Sequence, residues 1–279
     1  MQDIASPLQA SKNEKMKIQE EIESFQITNS KTIISFEKNN KNWSRFISIE
    51  GKRAYEIGNV CQTCAFYFER LEGANQKIEP KEVIDKLNNG ITTIDQDLLN
   101  KISKIIPDGN YRIMLLEVEP KMVDLGTDSD YFKNEQIRLW GLDGFWGIPH
   151  HTKIPYYRTK TESLDIDKEL YEFLIPMYPK NYLDIERVNY YKDELLKGKK
   201  PTGISISVLD IKGPAAQGVG SIESDILEHW CLAHYLIDGH HKLYAASEKD
   251  SKMTILSFLA IDECIIEKVE CLSKLTNFK

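Results

Sequence analysis

Residues 232–246, LAHYLIDGHHKLYAA, contain the stretch that decides the fold of the C-terminal part of this 279-residue chain. Its apolar first half, Leu232–Ile237, is typical of a buried strand. Asp238-Gly239 is a turn signal, because glycine accepts backbone angles that other residues avoid. Helical spacing follows over His240–Ser247, and a second apolar run, Met253–Ile261, predicts another strand. In this order of elements, helix N-termini often bind anions.

Helix and strand signals continue outward from this stretch. Gly203–Ile211 alternates between apolar and polar side chains, the pattern of a half-buried strand. Tyr111–Val118 is an apolar run that predicts a buried strand, and Asp95 is placed to cap a helix. Turn signals between residues 32 and 57 predict an antiparallel meander. Together these patterns predict an α+β fold with mixed sheets and packed helices.

The chain divides into three regions by composition. Residues 1–30 are rich in Gln, Lys, Glu and Ser, and we expect a flexible leader with at most one helical segment around Lys15–Phe25. Residues 31–200 form an N-terminal α+β region. Residues 201–279 form a C-terminal region that ends in a predicted helix, Cys264–Leu275. The last two regions are also compatible with one continuous domain.

Composition limits the classes of function. The formal net charge is −7, so no overall basic field attracts nucleic acid, and DNA is not an expected partner. No apolar run has the length that crosses a bilayer, and the first residues lack the apolar segment of a signal peptide. The five cysteines are an odd number, which argues against a disulfide framework. We therefore expect a cytoplasmic protein without membrane contact.

The predicted helix after Gly239 begins with three basic or potentially basic residues, His240, His241 and Lys242. Cations at a helix N-terminus oppose the helix dipole, at a cost of about 0.3–1 kcal/mol each when exposed. A bound phosphate would reverse this cost, because backbone N–H groups and the three side chains could all donate to it. In the alternative reading, Asp238 only caps the helix, Gly239 only makes the turn and the histidines lie on the surface.

The segment Leu236–Ala246 resembles the strand–turn–helix motif of the ParB/sulfiredoxin-like superfamily, and the similarity extends over roughly residues 200–265. The resemblance implies a small phosphate-binding fold in which Gly239, His240, His241 and Lys242 hold the phosphates of a nucleotide. Lys242 stands where arginine is usual. The bidentate contact that a guanidinium makes with a phosphate would then be replaced by contact with the point charge of an ammonium group. His240 stands where sulfiredoxins carry a catalytic cysteine, so sulfiredoxin chemistry is not implied.

Two classes of function follow. In the first, the chain is a phosphotransferase or nucleotide hydrolase: His240 holds phosphate, Asp238 orients the turn or a metal, and Glu228 serves as general base. Its ligand would be a nucleotide with magnesium bound through the phosphates, or another small phosphorylated molecule. In the second, the chain is a non-catalytic ligand-binding or interaction module. Nucleotide turnover by the pure protein would distinguish the two.

A second basic cluster flanks a tyrosine pair in the middle of the chain. His150, His151 and Arg158 surround Tyr156 and Tyr157, and aromatic faces beside cations could receive a base or a phosphorylated substrate. A tyrosine-rich loop packed on the domain surface would have the same composition. We therefore keep both a substrate-binding and a structural interpretation.

Four residues could form a tetrahedral zinc site: Cys61 and Cys64 from a CxxC motif, together with Cys231 and His234. Residues three apart on a strand face opposite sides, which opposes pairing Cys231 with His234. Buried cysteines acting as small apolar residues are the alternative for all of them. A redox dithiol at the CxxC motif is a third reading.

Overall fold

The computed structural model describes residues 17–39, 43–76, 78–142, 152, 154–213 and 226–266. Within these ranges the chain combines helices with a mixed sheet and a separate antiparallel sheet, which confirms the predicted α+β class. No helix among the described residues has the length and apolar character needed to span a membrane.

Thirteen strands and five α-helices are present in the described residues. The strands are β1 (Lys17–Ile27), β2 (Ile34–Asn39), β3 (Ser44–Ile49), β4 (Lys52–Asn59), β5 (Glu69–Arg70), β6 (Gly109–Val118), β7 (Lys121–Val123), β8 (Tyr156–Arg158), β9 (Glu162–Asp165), β10 (Lys168–Ile175), β11 (Thr202–Lys212), β12 (Glu228–Asp238) and β13 (Met253–Ala260). The helices are α1 (Ile84–Asn89), α2 (Gln96–Ile102), α3 (Glu135–Trp140), α4 (Ile185–Leu196) and α5 (His240–Glu248).

Nine of these strands form one large sheet with the order β1-β6-β13-β11-β12-β10-β8-β7, and β9 pairs with β10. The pairs β10–β12 and β11–β13 are parallel, whereas the other pairs are antiparallel. The remaining strands form an antiparallel sheet in the order β2-β3-β4-β5, which contains the predicted meander. Strands from both sides of residue 200 share the large sheet, as expected for one continuous domain.

Apolar side chains cover both faces of the large sheet. On one face, Cys231, Ala233 and Tyr235 of β12 pack in a core shared with the small sheet and with α1 and α2. On the other face, Leu232 and Leu236 pack in a core shared with α4 and α5. Successive side chains of a strand point to opposite faces, so a strand covered on both sides is buried throughout. For the same reason β11 is buried on both faces, and the prediction of a half-buried strand was wrong.

The predicted leader needs correction at its C-terminal half. Lys17–Ile27 forms β1, an edge strand that pairs antiparallel with β6 from Lys17 opposite Glu117 to Ile27 opposite Gly109. The predicted helix around Lys15–Phe25 is therefore wrong where the structure describes it, because pairing with a long neighbouring strand outweighs local helix propensity. Residues 1–16 lie outside the described part of the chain.

The predicted C-terminal helix is wrong at its start. Cys264 has extended backbone angles, and Ile265 forms an isolated parallel bridge with Asp210 of β11. The Ile265 N–H also donates to the Leu209 carbonyl at 3.1 Å. This segment therefore begins by pairing with the sheet, and residues 267–279 lie outside the described residues.

Candidate functional site

The predicted strand–turn–helix is present at the end of β12. Gly239 adopts a left-handed conformation with φ of 100° and is the N-cap residue of α5. Because glycine has no side chain, it contributes no capping hydrogen bond. Within the described residues, no hydrogen bond is made by the backbone N–H groups of His240, His241 and Lys242. The first turn of α5 therefore offers three uncapped donors and the positive end of the helix dipole.

Gly239 is required by packing as well as by its backbone angle. A Cβ atom at this position would lie 2.7 Å from the Gly203 Cα atom of β11. Only a residue without a side chain fits so close to the neighbouring strand. The missing side chain of Gly239 thus admits the backbone of β11.

His240 and His241 each anchor a neighbouring segment. The His240 Nε2 atom accepts the Met177 N–H at 3.0 Å, and the His241 Nε2 atom accepts the Asp184 N–H at 3.0 Å. A ring nitrogen that accepts a backbone N–H is unprotonated, so the proton of each neutral ring is on Nδ1. Burial lowers the pKa of His240 to about 4. Burial, followed by the charge of Arg187, also lowers the pKa of His241.

These histidines are therefore neutral near pH 7. The expected charge-assisted bonds from His240 and His241 to a phosphate are not available there, and this part of the sequence prediction is corrected. Within the described residues the Nδ1 atom of His240 has no hydrogen-bond partner, which leaves it as a neutral donor beside the turn. The two neutral rings anchor neighbouring segments to this end of α5. The positive charge that would attract an anion therefore has to come from other residues.

Lys242 is buried, with 2% of its surface exposed. Its Nζ atom donates to the Thr202 carbonyl at 2.9 Å and lies 3.3 Å from the Asp238 Oδ2 atom. Burial lowers the pKa of Lys242, while the Asp238 carboxylate opposes that effect. Lys242 is buried because side chains on a helix point back toward its N-terminus and this one reaches β11.

A cleft with a volume of about 230 Å³ lies in front of this turn, and we call it the α5 cleft. Besides residues 237–242, it is lined by the segment that leads into α1, by the β10–α4 connection and by α4, which contribute Glu79, Lys81, Tyr178, Arg187 and Tyr191. Tyr178 packs against the His240 ring at 4.6 Å between ring centroids.

Arg187 is the residue of the α5 cleft that sequence reasoning missed. It is exposed on the first turn of α4, and in the described part of the chain it forms no ion pair with a carboxylate. Its charge lowers the pKa values of both His241 and Lys242, so the guanidinium lies close enough to disfavour the protonated form of each. No sequence signal connects Arg187 with the turn, because α4 lies about fifty residues earlier and meets α5 only in the folded chain.

Glu228 does not reach the α5 cleft. It begins β12, whereas Asp238 ends it, and ten residues of extended strand separate their Cα atoms by about 33 Å. The Glu228 carboxylate pairs with Lys168 at 3.1 Å and accepts the Trp230 indole N–H. The assignment of Glu228 as a general base at the turn is therefore wrong.

The second basic cluster is only partly described. Arg158 donates to the Glu135 carboxylate at 2.8 Å and to the Ser129 carbonyl at 3.0 Å, so it holds α3 against β8. It does not line the α5 cleft. His150 and His151 lie outside the described residues, so their predicted role in substrate binding stays a prediction.

The four proposed zinc ligands do not converge. Cys61 and Cys64 are joined in a disulfide. Cys231 and His234 lie on opposite faces of β12: the Cys231 Sγ atom contacts the Tyr131 hydroxyl at 3.6 Å, whereas His234 is bonded to Ser207 and Glu172. Among the described residues, no group of three or more His, Cys, Asp and Glu side chains could hold a metal ion. The predicted Cys₃His arrangement is therefore wrong.

His234 belongs instead to a buried polar chain that crosses four strands. Its Nε2 atom lies 3.1 Å from the Glu172 carboxylate, and its Nδ1 atom lies 2.7 Å from the Ser207 hydroxyl. The Ser257 hydroxyl donates to Ser207, and the Thr159 hydroxyl donates to Glu172. The two serines, the histidine and the glutamate are almost fully buried, so no substrate reaches them. These hydrogen bonds between strands fix the register of the sheet.

The fold and this cleft define an α+β protein with an uncapped helix N-terminus that faces a basic pocket. In comparison with known proteins, no family model, curated protein or solved structure matches the chain. The similarity of residues 236–246 to the ParB/sulfiredoxin-like motif therefore stays a prediction, and the geometry of the α5 cleft is the basis for a function.

Proposed function

We propose that the chain binds a small phosphorylated ligand in the α5 cleft. The observation that carries the proposal is the exposed Arg187 guanidinium, which forms no ion pair with a carboxylate in the described part of the chain and stands beside Lys242 and the uncapped first turn of α5. Neighbouring cations at the positive end of a helix dipole are stabilised when an anion binds. A phosphate group suits this position because it accepts several backbone N–H bonds and a bidentate guanidinium contact at once.

The charges that line the cleft support an anionic ligand. Lys81, Arg187 and Lys242 are cationic, whereas Glu79 and Asp238 are anionic, and Asp238 is already paired with Lys242. The cleft therefore carries a local positive excess in a chain whose overall charge is −7. A local excess of this kind attracts an anion against an acidic background.

The size of the cleft favours a phosphomonoester over a full nucleoside triphosphate. Its volume of about 230 Å³ is below the range of about 300–1,000 Å³ that is usual for drug-sized ligands. The walls formed by Tyr178 and Tyr191 are suited to the carbon skeleton of a sugar or another small organic group. Magnesium would bind through the phosphates of a nucleotide and is not required for a phosphomonoester.

Of our two classes of function, the binding module is the one that the geometry favours. Phosphoryl transfer needs a group that positions or deprotonates the nucleophile at the phosphate. Glu228, the base proposed for that purpose, lies at the other end of β12. Among the proposed catalytic residues, Asp238 places a carboxylate in the cleft, and this carboxylate is ion-paired with Lys242. A phosphotransferase or nucleotide hydrolase is thus the alternative.

Calorimetric titration tests the proposal. We would titrate the chain with inorganic phosphate, a sugar phosphomonoester, a nucleoside monophosphate, and a nucleoside triphosphate with and without magnesium. We expect the phosphomonoesters to bind most tightly and higher ionic strength to weaken the binding. Arg187→Ala should weaken it about tenfold, as expected for the loss of a charge-assisted hydrogen bond.

Arg138→Ala is the matched control, because Arg138 is an exposed helical arginine that does not line the cleft. It should leave the affinity unchanged. If no phosphorylated compound binds, or if both arginine variants bind as tightly as the unmodified chain, the proposal is wrong. Turnover of the triphosphate that is lost in Asp238→Asn would instead favour the enzyme.

A further inference from the structure

The CxxC loop, Cys61–Cys64, lies in the connection between β4 and β5 and contributes no residue to the α5 cleft. Its cysteines form a disulfide with a Cα–Cα distance of 5.2 Å. Both cysteines are partly exposed, so small molecules in solution can reach the disulfide. The exposed Thr63 hydroxyl lies 3.3 Å from the Cys61 Sγ atom.

Three hydrogen bonds hold the CxxC loop in place independently of the disulfide. The buried Lys212 Nζ atom donates to the Cys61 carbonyl at 2.6 Å, and the Gly213 N–H donates to the Gln62 carbonyl at 3.2 Å. The Trp140 indole N–H donates to the Thr63 carbonyl at 3.1 Å. None of these bonds involves sulfur, so they can persist when the disulfide is reduced and keep the two thiols adjacent.

The disulfide contributes little to the stability of the fold. In the chain-entropy model, the stabilisation by a disulfide grows with the number of residues in the loop that it closes, and this loop has only four residues. A bridge between two residues so close in sequence constrains the unfolded chain least. Exchange chemistry therefore accounts for this pair better than a structural role does.

We infer that Cys61 and Cys64 form a thiol–disulfide exchange site for low-molecular-weight thiols. A thiolate of the small thiol attacks the Cys64 Sγ atom, the Cys61–Cys64 bond breaks, and Cys61 leaves as a thiolate. A second small thiol then attacks the mixed disulfide, which releases the oxidised small disulfide. Two electrons pass from the two small thiols to the protein, and their two protons end on Cys61 and Cys64.

Cys61 is assigned as the leaving thiolate because a hydroxyl can donate to it. The Thr63 hydroxyl faces Cys61, and hydrogen bonding to a thiolate favours the charged form. The other described cysteines are unsuited to exchange. Cys231 is buried, and burial raises the pKa of Cys264 to about 12. A thiol with so high a pKa is almost entirely protonated at neutral pH.

A redox titration tests the inference. The full-length chain carrying Cys271→Ser, which removes a cysteine outside the described residues, would be equilibrated in glutathione buffers of varying ratio, acid-quenched, alkylated and weighed by mass spectrometry. We expect a reversible two-electron transition that disappears in both Cys61→Ser and Cys64→Ser. A pair that stays reduced, or stays oxidised, at every ratio while the chain is folded would overturn the inference.

Alkylation rates then test the assignment of Cys61. In the same background, the thiol left in Cys64→Ser should react with iodoacetamide at neutral pH about tenfold faster than the thiol left in Cys61→Ser, as expected for a pKa lower by about one unit. Adding Thr63→Val should remove most of this difference. Equal rates in the two single variants would overturn the assignment of Cys61 as the leaving thiolate.

Discussion

The floor and the rim of the α5 cleft differ in what their residues do. The floor, Gly239, His240 and Lys242, is buried, and each residue is bound to another part of the fold. The rim, Lys81 and Arg187, is exposed and forms no ion pair within the described residues. The residues that form the sequence motif thus build the turn, whereas the exposed positive charge comes from distant segments.

The largest effect is expected at the floor, for Gly239→Ala. Alanine would occupy a left-handed conformation and place its Cβ atom 2.7 Å from the Gly203 Cα atom. The conformation costs about 1 kcal/mol and the overpacking about 3 kcal/mol, so the free energy of unfolding should fall by about 4 kcal/mol. Chemical denaturation followed by circular dichroism measures this loss.

Gly198→Ala is the control for the backbone angle alone. Gly198 has φ of 83°, and its added Cβ atom would meet nothing within 4 Å. Its cost should be about 1 kcal/mol. Equal losses in the two variants would show that contact with Gly203 contributes nothing and that the floor is not tightly packed there.

The next effect concerns pH and His240. The pKa of His240 is about 4 in the folded chain, against an ordinary value of 6.5. Between these values the unfolded chain binds a proton that the folded chain does not, so stability falls as the pH drops from about 6.5 to about 4. The difference in pKa corresponds to about 3 kcal/mol. Below the lower value the contribution is constant.

Burial also lowers the pKa of His229, to about 3, so both histidines act in an overlapping pH window. His240→Gln separates them, because glutamine can still accept the Met177 N–H but does not titrate. Denaturation is measured at a series of pH values. As the pH drops from about 6.5 to about 4, the free energy of unfolding should fall by about 3 kcal/mol less in this variant than in the unmodified chain. An unchanged pH profile would mean that His240 is charged or exposed in the folded chain.

Much of the fold could be predicted because its local signals agree with its tertiary contacts. Asp95 caps α2 through the Leu98 N–H at 2.7 Å, as the sequence indicates. The run 232–246 forms the expected strand, turn and helix. β1 could not be predicted, because its polar sequence becomes a strand only through pairing with β6. The short helix α3 was hidden in a stretch without periodicity.

The position of the candidate site could be predicted, but the roles of its residues could not. An Asp-Gly-His-His-Lys sequence indicates a turn with unusual charge, and the cleft does lie there. What each side chain binds depends on partners far along the chain, such as Met177 for His240 and Thr202 for Lys242. Arg187 likewise lines the cleft only because α4 packs against α5 in the folded chain. Sequence patterns encode local geometry and contain no such pairings.

The smallest expected change in the free energy of unfolding is that of Lys242→Ala, and this variant distinguishes the floor from the rim most directly. The change removes the donor to the Thr202 carbonyl and the partner of Asp238, so the free energy of unfolding should fall by about 2 kcal/mol. Lys249→Ala at the C-cap of α5 removes an exposed lysine side chain without such contacts and should cost about 0.5 kcal/mol or less. Thermal and chemical denaturation without ligand measure both. If Lys242→Ala unfolds like the Lys249 variant but loses phosphate binding, Lys242 is a ligand-binding group as its sequence position suggests. A loss of stability would instead assign Lys242 to the floor and leave Arg187 as the principal cation for the ligand.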